Sequence, residues 1–396
     1  MPRTFQYSAC LVVAVCVLLT MTCALRSTES RVVEVTVVDS EGSPLKGAAL
    51  GQLLFNTGND QADPQVKLSL FGEEYSRSGN AFDTPETDGR GRVKISRDRL
   101  FWRGDARKRM LIATTADHGL MGFCTLDPKR TPYQVTIQLQ PTISTQILPQ
   151  HERLTEDGQS RDWSALYVRL QDQTVYELVS STGSHQFRLP AGDYQLTTYG
   201  VETNQTRFDL HVSPELQGIQ KTVDLTPTQL KLLEGHPAPE LTQIKDWYQG
   251  EPTTIRDLRG NVVLLDFWGY WCNPCVARMP KLFDLLEEYA DEGLVIIGIH
   301  DDSVSDAKEL HKKLKVIREK LWNGKPLPFP IAIDGGGETP VQGRHNPVRG
   351  ATTAAYGIPS WPTYVLIDRQ GRIAKTRFYP DKPEHIELLT DLLVDH

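Results

Sequence analysis

Residues 262–268 (VVLLDFW) are apolar except for Asp266, and three residues later the chain reaches Trp271-Cys272-Asn273-Pro274-Cys275. A continuous apolar run of this length suits a strand buried on both faces. Residues 276–289 then take helical spacing, with Met279, Leu282, Phe283, Leu286 and Tyr289 on one face. The two cysteines therefore fall where a buried strand hands over to a helix. A thiolate at a helix N-terminus meets unpaired backbone N–H groups and the positive end of the helix dipole. Both favour S⁻, so Cys272 is expected to titrate well below about 8.5. Cys275, one turn further in, is placed to attack a mixed disulfide on Cys272. Pro274 stiffens the first turn and gives up only an N–H that has no intrahelical partner there.

Other uses of the pair fit less well. Zinc needs two more ligands at matching spacing, and the chain has no second C-x-x-C and no H-x-x-x-H. Haem attachment needs His after the second cysteine, where this chain has Val276. A structural bridge is the remaining alternative to redox chemistry. The chain has six cysteines in 396 residues, too few for a disulfide framework.

Cys10, Cys16 and Cys23 lie in an N-terminal segment that reads as a targeting signal. Arg3 precedes an apolar run over residues 9–19, and Thr22 and Ala24 form a small-x-small cleavage site, giving a signal peptide over 1–24. An uncleaved anchor and a lipid-modified Cys23 are the alternatives, and a membrane contact is expected only in those two cases. All three place the rest of the chain outside the cytoplasm, in the periplasm or cell envelope, with a secreted or membrane-anchored chain as alternatives. A net charge of −7 with no long basic run argues against a nucleic-acid partner. A share of 39% hydrophobic and 23% charged residues is that of a folded, soluble chain.

Short alternating runs separated by turn residues fill the first half. Residues 31–38, 45–54 and 133–139 read as strands, with turns at 39–44 and 87–91. A second β unit follows, with strands around 163–170, 187–194 and 206–212. The turn order resembles carboxypeptidase-regulatory-like and other Ig-like β-sandwiches. Residues 226–239 are Pro-rich and read as the main linker. Beyond them come a strand at 294–299, a helix at 305–322, strands at 330–333, 363–367 and 372–378, and a helix at 384–394. That order is an α/β layout with a mixed sheet.

Residues 235–396 resemble the thioredoxin superfamily, specifically its TlpA/ResA-like (redoxin) branch of extracytoplasmic thiol-disulfide oxidoreductases. The supporting residues are Gly235-x-Pro237-Ala238-Pro239-Glu240, the run 258–268 into W-C-x-P-C, Pro280 five residues after Cys275, and residues 356–368 (YGIPSWPTYVLID). The expected architecture is multidomain: a β-sandwich domain at 31–140, a second β-sandwich-like domain at 141–226, and an α/β thioredoxin fold at 235–396. The resemblance implies that Pro362, rather than Pro359, is a cis-proline exposing the Trp361 backbone to a substrate peptide. It implies that Asp266 is a buried acid of raised pKa that takes the Cys275 proton, and that Trp271 covers the motif. Trp271, Trp361 and Pro274 are the expected substrate-facing residues. No cofactor or metal is implied. The partners would be protein thiols and disulfides, with an upstream thiol electron donor or acceptor.

The chain departs from some relatives in carrying Arg278 where they have Glu, so their redox poise does not transfer. Residues 334–355 form an insertion, read either as a surface loop or as a lid. Cys124 is expected to be a buried free thiol, and His300 with Asp301-Asp302 an ordinary solvated loop rather than a metal site. Asn204-Gln205-Thr206 matches a glycosylation sequon. Two other functions are alternatives: a binding or adhesion protein led by its β domains, with the disulfide structural, and a thiol peroxidase. The peroxidase reading lacks its P-x-x-x-T-x-x-C pattern.

Overall fold

The computed structural model describes residues 32–56, 66–70, 84–101, 107–130, 132, 134–150, 164–180, 183–341 and 347–394. The expected signal segment with Cys10, Cys16 and Cys23 lies outside these residues, as do Arg344 and His345 and the first residues (31, 133 and 163) of three expected strands. The chain divides into two compact units. One comprises residues to Val201 together with Gln205–Leu225, and the other Glu202–Asn204 with Thr226–His396. No helix among the described residues is long and apolar enough to cross a membrane.

Among its described residues, the first unit is all β apart from one helical turn, Arg97–Leu100. Strand Val32–Val38 buries alternate residues, Val33, Val35 and Val37, as its sequence period requires. It lies between Arg92–Ser96 (antiparallel) and Gln134–Gln138 (parallel) in a three-stranded sheet. Two larger sheets draw strands from both sides of residue 140: Leu53–Phe55 pairs with Gln173–Ser180, and Leu120–Leu126 pairs with Gln140–Gln150. The expected strand over 45–54 is instead two short strands, Ala49–Gly51 and Leu53–Phe55, in different sheets. The change of sheet occurs at Gln52, whose side chain donates to the Leu100 carbonyl. Gly51 permits the crossing, because a Cβ there would stand 2.5 Å from Leu68.

The second unit has a six-stranded mixed sheet. Its elements in chain order are helix α1 (Gln229–Leu232), β1 (Asp246–Tyr248), β2 (Val262–Trp268), α2 (Asn273–Tyr289), β3 (Leu294–His300), α3 (Ala307–Leu321), β4 (Ile331–Ile333), a small hairpin β5–β6 (Glu338–Thr339 and Val348–Arg349), α4 (Ala351–Ala355), β7 (Thr363–Ile367), β8 (Ile373–Thr376) and α5 (Pro383–Val394). The sheet order is β1-β4-β3-β2-β7-β8. β2, β3 and β4 run parallel, and β1, β7 and β8 antiparallel to their neighbours.

Every residue of β2 is buried, as a central strand demands. Val262, Leu264 and Trp268 pack on the face that carries α2, α3 and α5, and Val263, Leu265 and Phe267 on the opposite face. The expected linker at 226–239 is part of this unit. Leu230 is buried among Val263, Ile297 and Tyr356, and Ala238 N–H donates to the Gly371 carbonyl. The prolines of the segment mark turns, while Leu230 anchors it to the core.

Candidate active site

Cys272 and Cys275 are joined as a disulfide at the start of α2. Cys272 is the N-cap of the helix, and its sulfur accepts the Cys275 N–H at 3.3 Å. Both cysteines are nearly buried, Cys272 at 5% exposure and Cys275 at 1%. Pro274 and Asn273 lie exposed on the first turn. Pro280 is accommodated within a single helix reaching Tyr289.

Asp266 is 1% exposed, and its Oδ1 has no hydrogen-bond partner among the described residues. Alternation along β2 puts its side chain between those of Leu264 and Trp268, on the face packed by Cys275 and Val276 of α2. Burial pushes its carboxyl well above the ordinary aspartate range. The Trp361–Pro362 peptide bond is cis, and Thr363, which opens β7, donates its hydroxyl to the Ser360 carbonyl. Pro359 is not part of a cis bond. Trp361 is half-buried, and its ring meets that of Trp271 edge-on, with centroids 5.7 Å apart and planes at 67°.

Two residues expected in a solvated loop, His300 and Asp301, belong to this site. His300, the last residue of β3, is fully buried, and Asp301 is 4% exposed. His300 Nε2 accepts the Tyr270 N–H at 3.1 Å, which places the ring proton on Nδ1, donating to the Asp301 carbonyl at 2.9 Å. The Tyr270 ring lies parallel to the imidazole, and the Lys313 ammonium sits 5.1 Å from the Tyr270 centroid. Asp301 Oδ2 accepts the Trp271 indole N–H at 3.0 Å, while Oδ1 accepts from the Ser303 hydroxyl and amide. The hint in the sequence was the placement of His300 and Asp301 at the end of the strand beside β2. Their hydrogen-bond partners, Tyr270 and Trp271, lie thirty residues earlier.

Other expected features lie elsewhere. The described part of the 334–355 insertion is packed rather than free: Asp334, Thr352 and Thr353 are buried, and Val341, Val348 and Ala354 form a small core. Asp334 accepts the amides of Gly335, Thr352 and Thr353, which ties β4 to α4. Cys124 is a free thiol in strand Leu120–Leu126, but half-buried rather than buried, and partial burial pushes its pKa up. Asn204 is partnered through its amide to the Pro227 carbonyl.

A family model described as the AhpC/TSA family matches residues 235–376. Thiol-disulfide oxidoreductase ResA of Bacillus anthracis is 30% identical over 139 residues, which are 35% of this chain and 67% of that protein. Thioredoxin-like protein YneN of Bacillus subtilis (strain 168) is 30% identical over 145 residues, 37% of this chain and 71% of that protein. Among solved structures, a thiol-disulfide isomerase from Corynebacterium glutamicum matches with a TM-score of 0.31 and 25% identity, covering 40% of this chain and 98% of that one.

Proposed function

This chain belongs to the TlpA/ResA-like branch of the thioredoxin superfamily and is a thiol-disulfide oxidoreductase, and on that basis we propose that it exchanges disulfides with extracytoplasmic proteins through a mixed disulfide on Cys272. The observation that carries this reading is the capping geometry, with Cys272 at the mouth of α2 and Cys275 one turn inside. In the reducing direction, the Cys272 thiolate attacks one sulfur of a substrate disulfide. The substrate S–S bond breaks, one substrate thiolate leaves, and a Cys272–substrate bond forms. Cys275 then loses its proton to Asp266, attacks Cys272 Sγ and expels the second substrate thiolate. Two electrons pass to the substrate, and the protein ends as the Cys272–Cys275 disulfide. The oxidising direction is the same path reversed.

Asp266 suits the proton transfer because burial brings its affinity for a proton toward that of a thiol. Trp271 and the exposed Pro274 flank Cys272 in the chain, and the contact of Trp271 with Trp361, next to the cis bond at Pro362, supports these residues as the substrate-facing ones. The extracytoplasmic setting rests on the N-terminal signal-like sequence.

The test uses insulin as the disulfide substrate. Reduced wild-type protein should cleave its interchain bonds, Cys272→Ser should lose that activity by more than about 10²-fold, and Cys275→Ser should accumulate a protein–insulin adduct released by dithiothreitol. Activity retained in Cys272→Ser, or no adduct with Cys275→Ser, would refute the mechanism. Binding to envelope proteins that is unchanged in the double serine variant, with no insulin cleavage by wild type, would favour the adhesion reading.

A further inference from the structure

We infer that His300 is a positioning residue for the cysteine pair: by accepting the Tyr270 N–H it holds the turn that delivers Cys272, more in the reduced protein than in the oxidised one, and so sets the reduction potential. The inference rests on the exchange reaction proposed above and names a residue that tunes it.

Gly269, Tyr270 and Trp271 connect β2 to α2. The Cys272 N–H donates to the Gly269 carbonyl at 3.0 Å, so residues 269–272 close as a turn with Tyr270 second and Cys272 last. Such a turn satisfies the N–H of its fourth residue and leaves that of its second to an outside partner. Here the partner is His300 Nε2, thirty residues away. The imidazole is held on every side. Trp268 meets it edge-on with centroids 5.0 Å apart, and Tyr270 covers it face-on with planes 3° apart. Its other nitrogen is committed to the Asp301 carbonyl. The backbone beneath is fixed too, since His300 lies opposite Trp268 in the β2–β3 register and the Asp301 N–H donates to the Trp268 carbonyl. Burial lowers the pKa of the imidazole, so at neutral pH Nε2 keeps the lone pair that this bond needs.

Both ring nitrogens are spent on the backbone, so His300 acts on the sulfurs only through the turn. Its effect differs between the two redox states. In the oxidised protein the Cys272–Cys275 bond ties Cys272 to the first turn of α2, whatever holds the residues before it. Once that bond opens, the turn is what keeps Cys272 in place as the N-cap of the helix. Loosening the turn therefore costs the reduced protein more than the oxidised one, and loss of the His300–Tyr270 bond makes the pair a stronger electron donor. The same loss moves the thiolate off the helix terminus and raises its affinity for a proton.

The full chain is equilibrated in graded glutathione and dithiothreitol buffers, and the peptide carrying both cysteines is read by mass spectrometry after alkylation. Each oxidation forms one Cys272–Cys275 bond and turns one buffer disulfide into its thiols. His300→Asn keeps a donor for the Asp301 carbonyl but is too short to reach Tyr270, whereas His300→Gln extends an oxygen toward the Nε2 position. The equilibrium constant for oxidation should rise about tenfold or more in His300→Asn, a shift of about 30 mV toward stronger reduction. In His300→Gln it should stay within about threefold of wild type. The pH profile of Cys272 alkylation should move upward in His300→Asn alone. Ile373→Ala removes core packing from β8 on the opposite face of the sheet, and it should lower stability in both redox states while leaving the equilibrium constant in place.

A folded His300→Asn whose equilibrium constant stays at the wild-type value, or falls, overturns the inference. Equal shifts in His300→Asn and His300→Gln overturn the role of the Tyr270 bond, and a comparable shift in Ile373→Ala reduces the effect to general loss of stability. If His300→Asn does not fold, His300→Leu, which fills the space without an acceptor, must show the shift in its place. If wild type interconverts with neither buffer, it is the exchange reaction itself that fails.

Discussion

Asp266 of β2 lies directly opposite Tyr364 of β7, and both side chains face the layer of helices that contains Cys275. Among the described residues no cation is paired with the Asp266 carboxyl, so burial dominates and its folded pKa lies above the unfolded one. The folded protein then keeps a proton that the unfolded chain releases above about pH 4, and stability falls as pH rises through that interval. Asp266→Asn should remove this slope and raise the melting temperature of the oxidised protein at pH 8 relative to wild type. It should also slow resolution of the mixed disulfide by about 10²-fold. Melting curves at pH 5 and pH 8, with the adduct lifetime followed by mass spectrometry, check both effects. A lifetime equal to wild type would remove Asp266 from the mechanism.

The β unit carries its own titrating group. His185 is 2% exposed, with Nε2 2.9 Å from Ser164 Oγ and with Nδ1 unpartnered among the described residues. Burial lowers its pKa from 6.5 to about 4. The unfolded state binds the proton first, so stability is full above about pH 6.5 and declines as pH falls toward 4. The decline should amount to about 3 kcal/mol. Urea unfolding of the first unit between pH 7 and 4 measures it. His185→Gln should flatten the profile, and an unchanged slope would assign it to other groups.

Asp334 concentrates the stability of the inserted segment. Three backbone amides depend on its carboxylate, and Gly350 approaches so closely that a Cβ would stand 2.1 Å from Oδ2, at φ 117°. Asp334→Ala leaves those buried donors unsatisfied and should cost about 3 kcal/mol or more. Gly350→Ala should cost a comparable amount through clash and backbone strain. Chemical denaturation of the second unit, with Asp334→Asn as the milder comparison, tests both. A loss under about 1 kcal/mol in either would show that the segment rearranges.

The path from β2 through the cysteines into α2 could be read from the sequence because it is local. An unbroken apolar run, a Pro on the first helical turn and helical spacing of Met279, Leu282 and Phe283 all lie within one stretch. The cis bond before Pro362 was legible through a family motif, not through composition. Features that depend on distant partners were hidden. Nothing near Asp301 in sequence foretells that Trp271 will cover it, and Leu230 gives no sign that strands far along the chain will enclose its Pro-rich segment. The break at Gln52 was hidden for the same reason, since Leu68 and Leu100 force it from outside the 45–54 run. His300 and Asp301 look solvated in the sequence because their burial is supplied by long-range contacts.

The cap at Cys272 joins two quantities that are usually measured separately. The Cys275 amide and the rest of the helix terminus favour the sulfur most when it carries a full negative charge, which happens only after the disulfide has opened. In a thermodynamic box linking oxidised, reduced, folded and unfolded chains, the extra stability of the reduced fold is the same free energy that displaces the reduction potential. About 1.4 kcal/mol on one side of the box is about 30 mV on the other. Any substitution that weakens the start of α2 more in the reduced protein than in the oxidised one must therefore make the pair a stronger electron donor, whether or not it touches either sulfur.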